Sequence, residues 1–325
     1  MSEKNVLFLC PQFYGYYKDI AQAAKKLSLN LIWFDDAPRL NSFQYFLKRL
    51  SKNYYKKKIN KYIDEIIKEI KSVKIDCILL INGLSLNGDL ISKIKKALGN
   101  PKIIYYAWDS TKVFPVIKEI SDISSKTYSF DWEDCQKYGF IFLPLFYTEE
   151  SKMESLPTNY DYCCFMNFYP NKASSFLNVK KALPNNLIGF EHLKLKSKIF
   201  YFYFKIFYHN DFKYFSLKNF KFYDLDREAI NQLILESKVI IDCPLEGQNG
   251  LTMRTFEVLS KFKKLITTNQ NIKYYPFYSP NNIFIVKTQA ENIPLEFFNT
   301  PFDKKFSLSN EYSVENFVKI IFKEI

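Results

Sequence analysis

Short apolar runs and longer amphipathic stretches alternate along the first half of the chain. Asn5 to Cys10, Leu31 to Phe34, Cys77 to Ile81, Ile103 to Ala107 and Thr127 to Phe130 are short, apolar or β-branched, and read as strands. Helical spacing fills the intervals: Lys18 to Leu27, a long basic helix within Phe43 to Ile70, Leu86 to Leu98, and a shorter one near Trp132 to Tyr138. Strand, helix, strand in repetition implies a parallel sheet. A parallel sheet is covered by helices on both faces, so its strands are expected to be apolar throughout, as Val6 to Leu9 and Ile78 to Ile81 are.

The pattern breaks after Ile141 to Tyr147, where Thr148 to Asn159 is polar, carries Pro157 and has no periodicity. An interdomain linker is expected there, giving domains at 1–150 and 151–325. The second half resumes with a strand at Tyr160 to Met166, a helix near Lys172 to Leu183 and a strand at Asn186 to Phe190. Later, Asp226 caps a helix to Glu236, Val239 to Asp242 is a strand, Leu251 to Ser260 a helix, Leu265 to Thr268 and Ile283 to Val286 strands, and Val314 to Ile325 a terminal helix. At 325 residues the chain exceeds the usual growth of one hydrophobic core, which agrees with two α/β domains with parallel sheets.

Composition adds three constraints. Phe and Tyr number 32 and 24, more than core filling needs, so some rings are expected at surfaces. The formal charge of +12 favours polyanions, whether nucleic acid, an anionic membrane face or phosphate-bearing small molecules, and it concentrates in Lys48 to Lys74 and Lys194 to Lys221. Six cysteines with no CxxC pair read as reduced, buried thiols of a cytoplasmic protein. The start of the chain lacks the features of a secretory signal, and no apolar run reaches the roughly 18 to 20 residues of a membrane-crossing helix, so neither secretion nor spanning is expected.

Open α/β sheets bind ligands at the carboxyl ends of their strands, near helix N-termini that favour negative charge. The first strand exits into Pro11 to Tyr17, where Tyr14 and Gly15 read either as a turn close to a phosphate or sugar or as a plain turn. No GxGxxG and no GxxxxGK[ST] occurs, which removes the main sequence support for NAD-type oxidoreductases and P-loop kinases. The fourth and fifth strands exit into Asp109 and Asp131, with Asp134 following; each is a candidate general base or an ordinary helix cap. Asp224-Leu225-Asp226 has the DxD form of a metal-binding pair, but Asp226 opens a helix and capping is the favoured reading. Two histidines, His192 and His209, leave little material for a histidine metal site or a Ser-His-Asp triad.

The most informative stretch runs from Asp242 to Glu257. Gly247 and Gly250 let the backbone approach a pyrophosphate, the helix start offers free amides, and Asn249, Thr252 and Arg254 add polar contacts, with Glu257 one turn on to reach ribose hydroxyls. The alternative is structural, with Asn249 and Thr252 as caps and Arg254 and Glu257 paired on a solvated face. Thr268 and Asn269, at the next strand's end, aim at the same edge.

Gln248 to Glu257, followed by Lys263 to Asn269, resembles bacterial lipopolysaccharide and capsule biosynthesis glycosyltransferases, and is distantly similar to CgeB-like proteins. Tyr106 to Ser110, Phe130-Asp131 with Asp134, and Leu143 to Tyr147 resemble the same group in the same order. The resemblance implies a GT-B fold of two Rossmann-like domains, with a nucleotide-sugar donor held by the C-terminal one, a lipid-linked or oligosaccharide acceptor by the N-terminal one, and Glu257 on the donor ribose. It implies neither cofactor nor metal. One departure is Asn167 to Lys172, where a glycine-rich turn and an arginine are expected. Another is Lys194 to Tyr223, in which lysines interleave with rings; it reads either as a segment lying on the inner membrane face or as a plain amphipathic pair of helices.

The resulting expectation is transfer of a sugar to a hydroxyl of a growing surface glycan, with Asp109, or else Asp131, as base and Arg254 with helix-end amides steadying the leaving phosphates. Nucleic acid is not an expected partner. The rival readings are a nucleic-acid-binding protein that uses the lysine and aromatic surface, and a non-catalytic scaffold of polysaccharide assembly.

Overall fold

The computed structural model describes residues 3–41, 44, 47–48, 50–83, 85–148, 156–245, 247–287 and 292–323. The chain folds as two compact units, Met1–Pro144 with Val314–Ile325, and Leu145–Ser313. The boundary expected at 150/151 lies outside the described residues.

The first unit is a six-stranded parallel sheet in the order β2-β1-β3-β4-β5-β6, with β1 Lys4–Leu9, β2 Leu29–Phe34, β3 Cys77–Ile81, β4 Lys102–Ala107, β5 Lys126–Ser129 and β6 Ile141–Phe142. Every residue of β3 is buried, as a strand covered on both faces requires. The crossovers carry α1 Tyr16–Lys25, α2 Lys52–Ile70, α3 Gly88–Ala97, α4 Val116–Ile123 and α5 Trp132–Tyr138. In α2 the isoleucines at 59, 63, 66 and 70 recur at one-turn spacing and are all buried, leaving its lysines for the other face. Ser51 caps that helix by accepting from the Tyr54 amide at 3.2 Å.

The terminal helix α12, Val314–Ile321, belongs to this first unit and not to 151–325 as its place in the sequence implies. Phe317 meets the edge of Tyr106 at 4.8 Å between ring centroids, the Tyr128 hydroxyl donates to the Ile320 carbonyl at 3.1 Å, and Lys26 pairs with Glu315 at 3.0 Å. Periodicity announces an apolar face, but not the sheet that face will cover.

The second unit has the order β12-β11-β10-β7-β8-β9, with β7 Tyr160–Asn167, β8 Gly189–Lys194, β9 Phe220–Lys221, β10 Ser237–Asp242, β11 Lys264–Thr267 and β12 Ile283–Ile285, again all parallel. Its helices are α6 Ala173–Ala182, α7 Lys198–Phe207, α8 His209–Phe212, α9 Arg227–Leu235, α10 Met253–Ser260 and α11 Leu295–Asn299. The two-domain α/β expectation therefore holds. The strand expected at Asn186 to Phe190 lies further on, because β8 carries polar residues that obscure it: Glu191 is paired with Lys180 and with the Tyr162 hydroxyl, His192 meets the Tyr223 carbonyl, and Lys194 pairs with Asp224.

The aromatic residues divide between surface, as expected of some of them, and core: Phe13, Trp132 and Tyr274 are exposed. Phe168, Phe176, Tyr201, Phe212, Phe215 and Phe220 are buried in one cluster under α7 and α8. The six cysteines are all free and buried, and burial pushes the Cys77, Cys135 and Cys243 thiols up to about 12.

Gly189 faces Tyr162 across the β7–β8 pair, and a Cβ there would fall within the Tyr162 ring, whose hydroxyl is held by Lys180 and Glu191. Gly189→Ala is expected to destabilise the protein by about 1–3 kcal/mol through overpacking, read as a lowered urea midpoint. An unchanged midpoint would mean that the Tyr162 clamp is not rigid.

Candidate functional site

In the second unit the strand order reverses between β7 and β10, whose crossovers leave on opposite sides and open a crevice at their carboxyl ends. Two loops enter it. From β7 the chain runs through Phe168 into a one-turn 3-10 helix, Pro170–Lys172; from β10 it runs from Asp242 to the start of α10.

The second loop is shaped by Gly247 at φ 86°, left-handed backbone that side chains rarely adopt. It is also pinned from the neighbouring strand exit. The Asn269 side-chain amide donates to the carbonyls of Asn249 at 3.2 Å and Gly250 at 3.0 Å, and that of Asn271 donates to Asn249 at 3.2 Å. Asn269 in turn accepts from the Asn271 amide at 3.0 Å. Asn249, Thr268 and Asn269 thus come together, along one side of a cleft of about 430 Å³ closed by Ser174, Ser175 and Asn178 of α6 and by Lys287.

The loop ends at Thr252, whose hydroxyl both accepts from the Thr255 amide as the cap of α10 and donates to the Asp242 carboxylate at 2.5 Å. Asp242 is pushed above its ordinary value by burial, and is held back by the Thr252 hydrogen bond and by the charges of Lys172 and Arg254. Burial pulls Lys172 down, against the opposing charge of Asp242. Its ammonium makes no direct hydrogen bond or ion pair among the described residues, and Asp242 acts on it through charge alone. Arg254 lies over the Phe165 ring at 4.1 Å and pairs with Glu257 at 2.5 Å. That pair has the three-residue spacing read from the sequence, but its side chains are only 13% and 10% exposed, so the face is not a solvated one.

Lys172 is the residue that sequence reasoning left out. It sits in the very stretch, Asn167 to Lys172, that departs from the expected glycine and arginine pattern. The signal was a lysine directly before a helix at a strand exit.

In the first unit the order reverses between β1 and β3. β1 exits into the 3-10 turn Phe13–Gly15, with Tyr14 at φ 44° and Gly15 at φ 78°. Tyr14 lies 6.1 Å from Tyr16, and Tyr16 lies 5.7 Å from Trp108, the residue before Asp109. Asp109 is half-buried at the exit of β4. Asp131 is fully buried and caps α5, accepting from the Glu133 amide at 3.0 Å. Asp134 accepts from the Thr111 amide at 2.7 Å and from its hydroxyl, which fixes the loop that carries Asp109. Asp226 caps α9, accepting from the Ala229 amide at 2.8 Å, and Asp224 pairs with Lys194, so the DxD residues serve the fold. Among the described residues no three His, Cys, Asp or Glu gather as a metal site would require.

No family model matches the chain, and no curated protein matches it in sequence. Solved structures match its fold along its whole length. It is similar to a sucrose-phosphate synthase from Thermosynechococcus elongatus (TM-score 0.60, 9% identity, 98% of this chain and 95% of that one). It is similar also to a glycosyltransferase from Rickettsia africae (TM-score 0.59, 12% identity, 100% of both chains). A third is a UDP-GlcNAc 2-epimerase from Neisseria meningitidis bound to UDP-GlcNAc (TM-score 0.56, 11% identity, 98% of both). The fold is that of the GT-B type.

A carboxyl group raised in the native state keeps its proton there after the unfolded chain has lost it, so its contribution to stability is full below 3.8 and fades as pH rises through the native value. Asp242→Asn removes that loss. The urea midpoint of the variant is expected to gain on the parent as pH rises from about 4; parallel curves would show that Asp242 carries no such shift.

Proposed function

We propose that this chain is a glycosyltransferase that moves a sugar from a nucleotide-sugar donor to a hydroxyl of a growing surface glycan. The observation that carries the reading is the gathering of polar groups at the β7/β10 switch point: Thr252 bonded to Asp242 and Arg254 lying over Phe165 of β7, with Lys172 electrostatically coupled to Asp242, beside a pinned, glycine-shaped loop and the start of a helix. In this reading Lys172, Arg254, Thr252 and the amides from Asn249 to Thr252 take the donor diphosphate. Glu257 takes the ribose, and Thr268 and Asn269 line the cleft for the rest of the nucleotide. The likeness to structures that include an epimerase bound to UDP-GlcNAc supports a donor of that chemical class.

The acceptor is assigned to the first unit, at Tyr14, Gly15 and the Tyr16–Trp108 aromatic pair. Asp109 removes the acceptor proton as the acceptor oxygen bonds to the anomeric carbon, and the bond from that carbon to the diphosphate breaks with its charge steadied by Lys172 and Arg254. Asp131, the other candidate, is spent as a helix cap, and its part is to hold the neighbouring turn. A lipid-linked acceptor, a lipopolysaccharide or capsular product, a cytoplasmic site at the inner membrane face and independence from metal ions complete the proposal.

A thermal-shift panel of UDP-, GDP-, CMP- and dTDP-sugars tests it, with at least one expected to raise Tm in the presence of EDTA. Lys172→Met and Glu257→Gln are each expected to weaken that donor by about 10- to 100-fold, the value of one charge-assisted hydrogen bond. Glutamine is chosen because alanine would strand Arg254 in a half-buried place. If no nucleotide sugar stabilises the protein, the donor site is misassigned.

Asp109→Asn is expected to leave the donor shift intact and to lower transfer about 10²- to 10⁴-fold. Sugar conversion that proceeds at full rate with no acceptor present would instead identify an epimerase.

A further inference from the structure

Helix α7 turns apolar side chains outward. Its inner face is anchored: Tyr201 is buried, Phe204 lies 5.3 Å from Phe212, and the Lys205 ammonium donates to the carbonyls of Phe212 at 3.2 Å and Phe215 at 3.1 Å, tying the helix to the turn after α8. What remains outside is Ile199, Phe202 and Ile206, at spacings of three and four residues, with Phe207 beside them; they are 77%, 56%, 71% and 67% exposed. Single exposed apolar residues are ordinary, but a contiguous stripe of four on a helix fixed from behind marks a contact surface.

The chemistry around the stripe names the partner. Residues 194–223 hold seven lysines and, in Asp211, one acidic residue. Lys198, at the start of the helix, and Lys213 and Lys218 after it are exposed, and so are the rings of Tyr208 and Tyr214, which pair an apolar body with a polar tip. Exposed basic residues and tyrosines that flank an apolar stripe in sequence match the chemistry of an anionic bilayer surface, with phosphate above and acyl chain below. A second copy fits less well, since a two-fold contact through this patch would set its lysines against themselves.

We infer that the outward face of α7 is a membrane-docking device that inserts Ile199, Phe202, Ile206 and Phe207 into an anionic phospholipid surface, with Lys198, Lys213 and Lys218 on the headgroups. This deepens the peripheral-membrane part of the reading above and rests on it alone; the donor site is independent of it. Among the described residues no helix is long and apolar enough to cross a membrane, so the contact is one of lying on the surface.

The test is co-sedimentation of the full chain with phosphatidylethanolamine–phosphatidylglycerol vesicles and with phosphatidylcholine vesicles, with no donor or acceptor present. Binding to the anionic vesicles alone, weakened by salt, is expected. Ile199→Ser, Phe202→Ser and Ile206→Ser together are expected to lower partitioning about a hundredfold with Tm unchanged, since three apolar side chains lose their burial. Lys198→Glu, Lys213→Glu and Lys218→Glu together are expected to remove the preference for anionic lipid. In Phe202→Trp, the added fluorescence is expected to shift to the blue on vesicles and to be quenched by brominated acyl chains. Undiminished vesicle binding by the serine variant, or no quenching of Trp at 202, overturns the proposal. So does a parent protein that ignores the vesicles, whether it instead dimerises or binds single-stranded oligonucleotide through the same residues. A parent protein that a nucleotide sugar stabilises but that does not bind the vesicles would sink the docking face alone; one that binds the vesicles but that no nucleotide sugar stabilises would sink the donor site alone.

Discussion

The constraint on which the second unit depends is the reversal of strand order between β7 and β10. Parallel strands oblige each crossover to pass over one face of the sheet, and where successive crossovers leave in opposite directions no helix can cover the strand ends between them. The uncovered place is polar because backbone ends and helix starts gather there, and it is sheltered because the sheet is buried on both sides. Charged groups set there are partly desolvated yet not sealed off. Asp242 and Lys172 show both effects: burial raises the first and lowers the second, while each partly restores the charge of the other.

That balance explains why the surrounding contacts are so well determined. Thr252 joins two tasks in one hydroxyl, capping α10 and bonding Asp242, so the helix start and the end of β10 move together. Asn269 and Asn271 bind the loop through the carbonyls of Asn249 and Gly250, so its path is fixed from the neighbouring strand exit. Arg254 is sandwiched between the Phe165 ring and the Glu257 carboxylate and so keeps one orientation. A constellation held in this way would lose little entropy on taking an anion, the role proposed for it.

Some of this was legible in the chain and some was not, for identifiable reasons. Cys77 to Ile81 and Trp132 to Tyr138 have the same limits in the structure as in the sequence reading, because a fully buried strand and a helix with an aspartate cap and a following glycine carry their signals locally. β8 was displaced because Glu191, His192 and Lys194 hide a strand whose polar residues are matched by partners far away in sequence. The terminal helix falls in the other unit from the one its place in the sequence implies, because amphipathicity is a local property and its partner, Tyr106, is not local. Of the residues proposed for the donor site, Thr252, Arg254 and Glu257 are legible as a motif. Lys172 is not, since its meaning comes only from β7 lying next to β10, a neighbourhood that crosses about seventy residues of chain.

Lys194 to Tyr223 separates the two kinds of aromatic residue that composition merges. Tyr201, Phe212, Phe215 and Phe220 fill the space beneath α7, and their burial offsets the cost of ordering a stretch with so little strand beside it, since β9 has only two residues. Ile199, Phe202, Ile206 and Phe207 do nothing for that core. A helix needed only to cover the edge of the sheet would place lysine or glutamate at those positions, where propensity and solubility both favour them. Here the chain instead keeps its lysines around the stripe, and Lys205 holds the inner face in place through backbone carbonyls. Rigidity behind an outward apolar face is what an inserting surface requires, because side chains already fixed in position lose less freedom on contact than those of a loose loop.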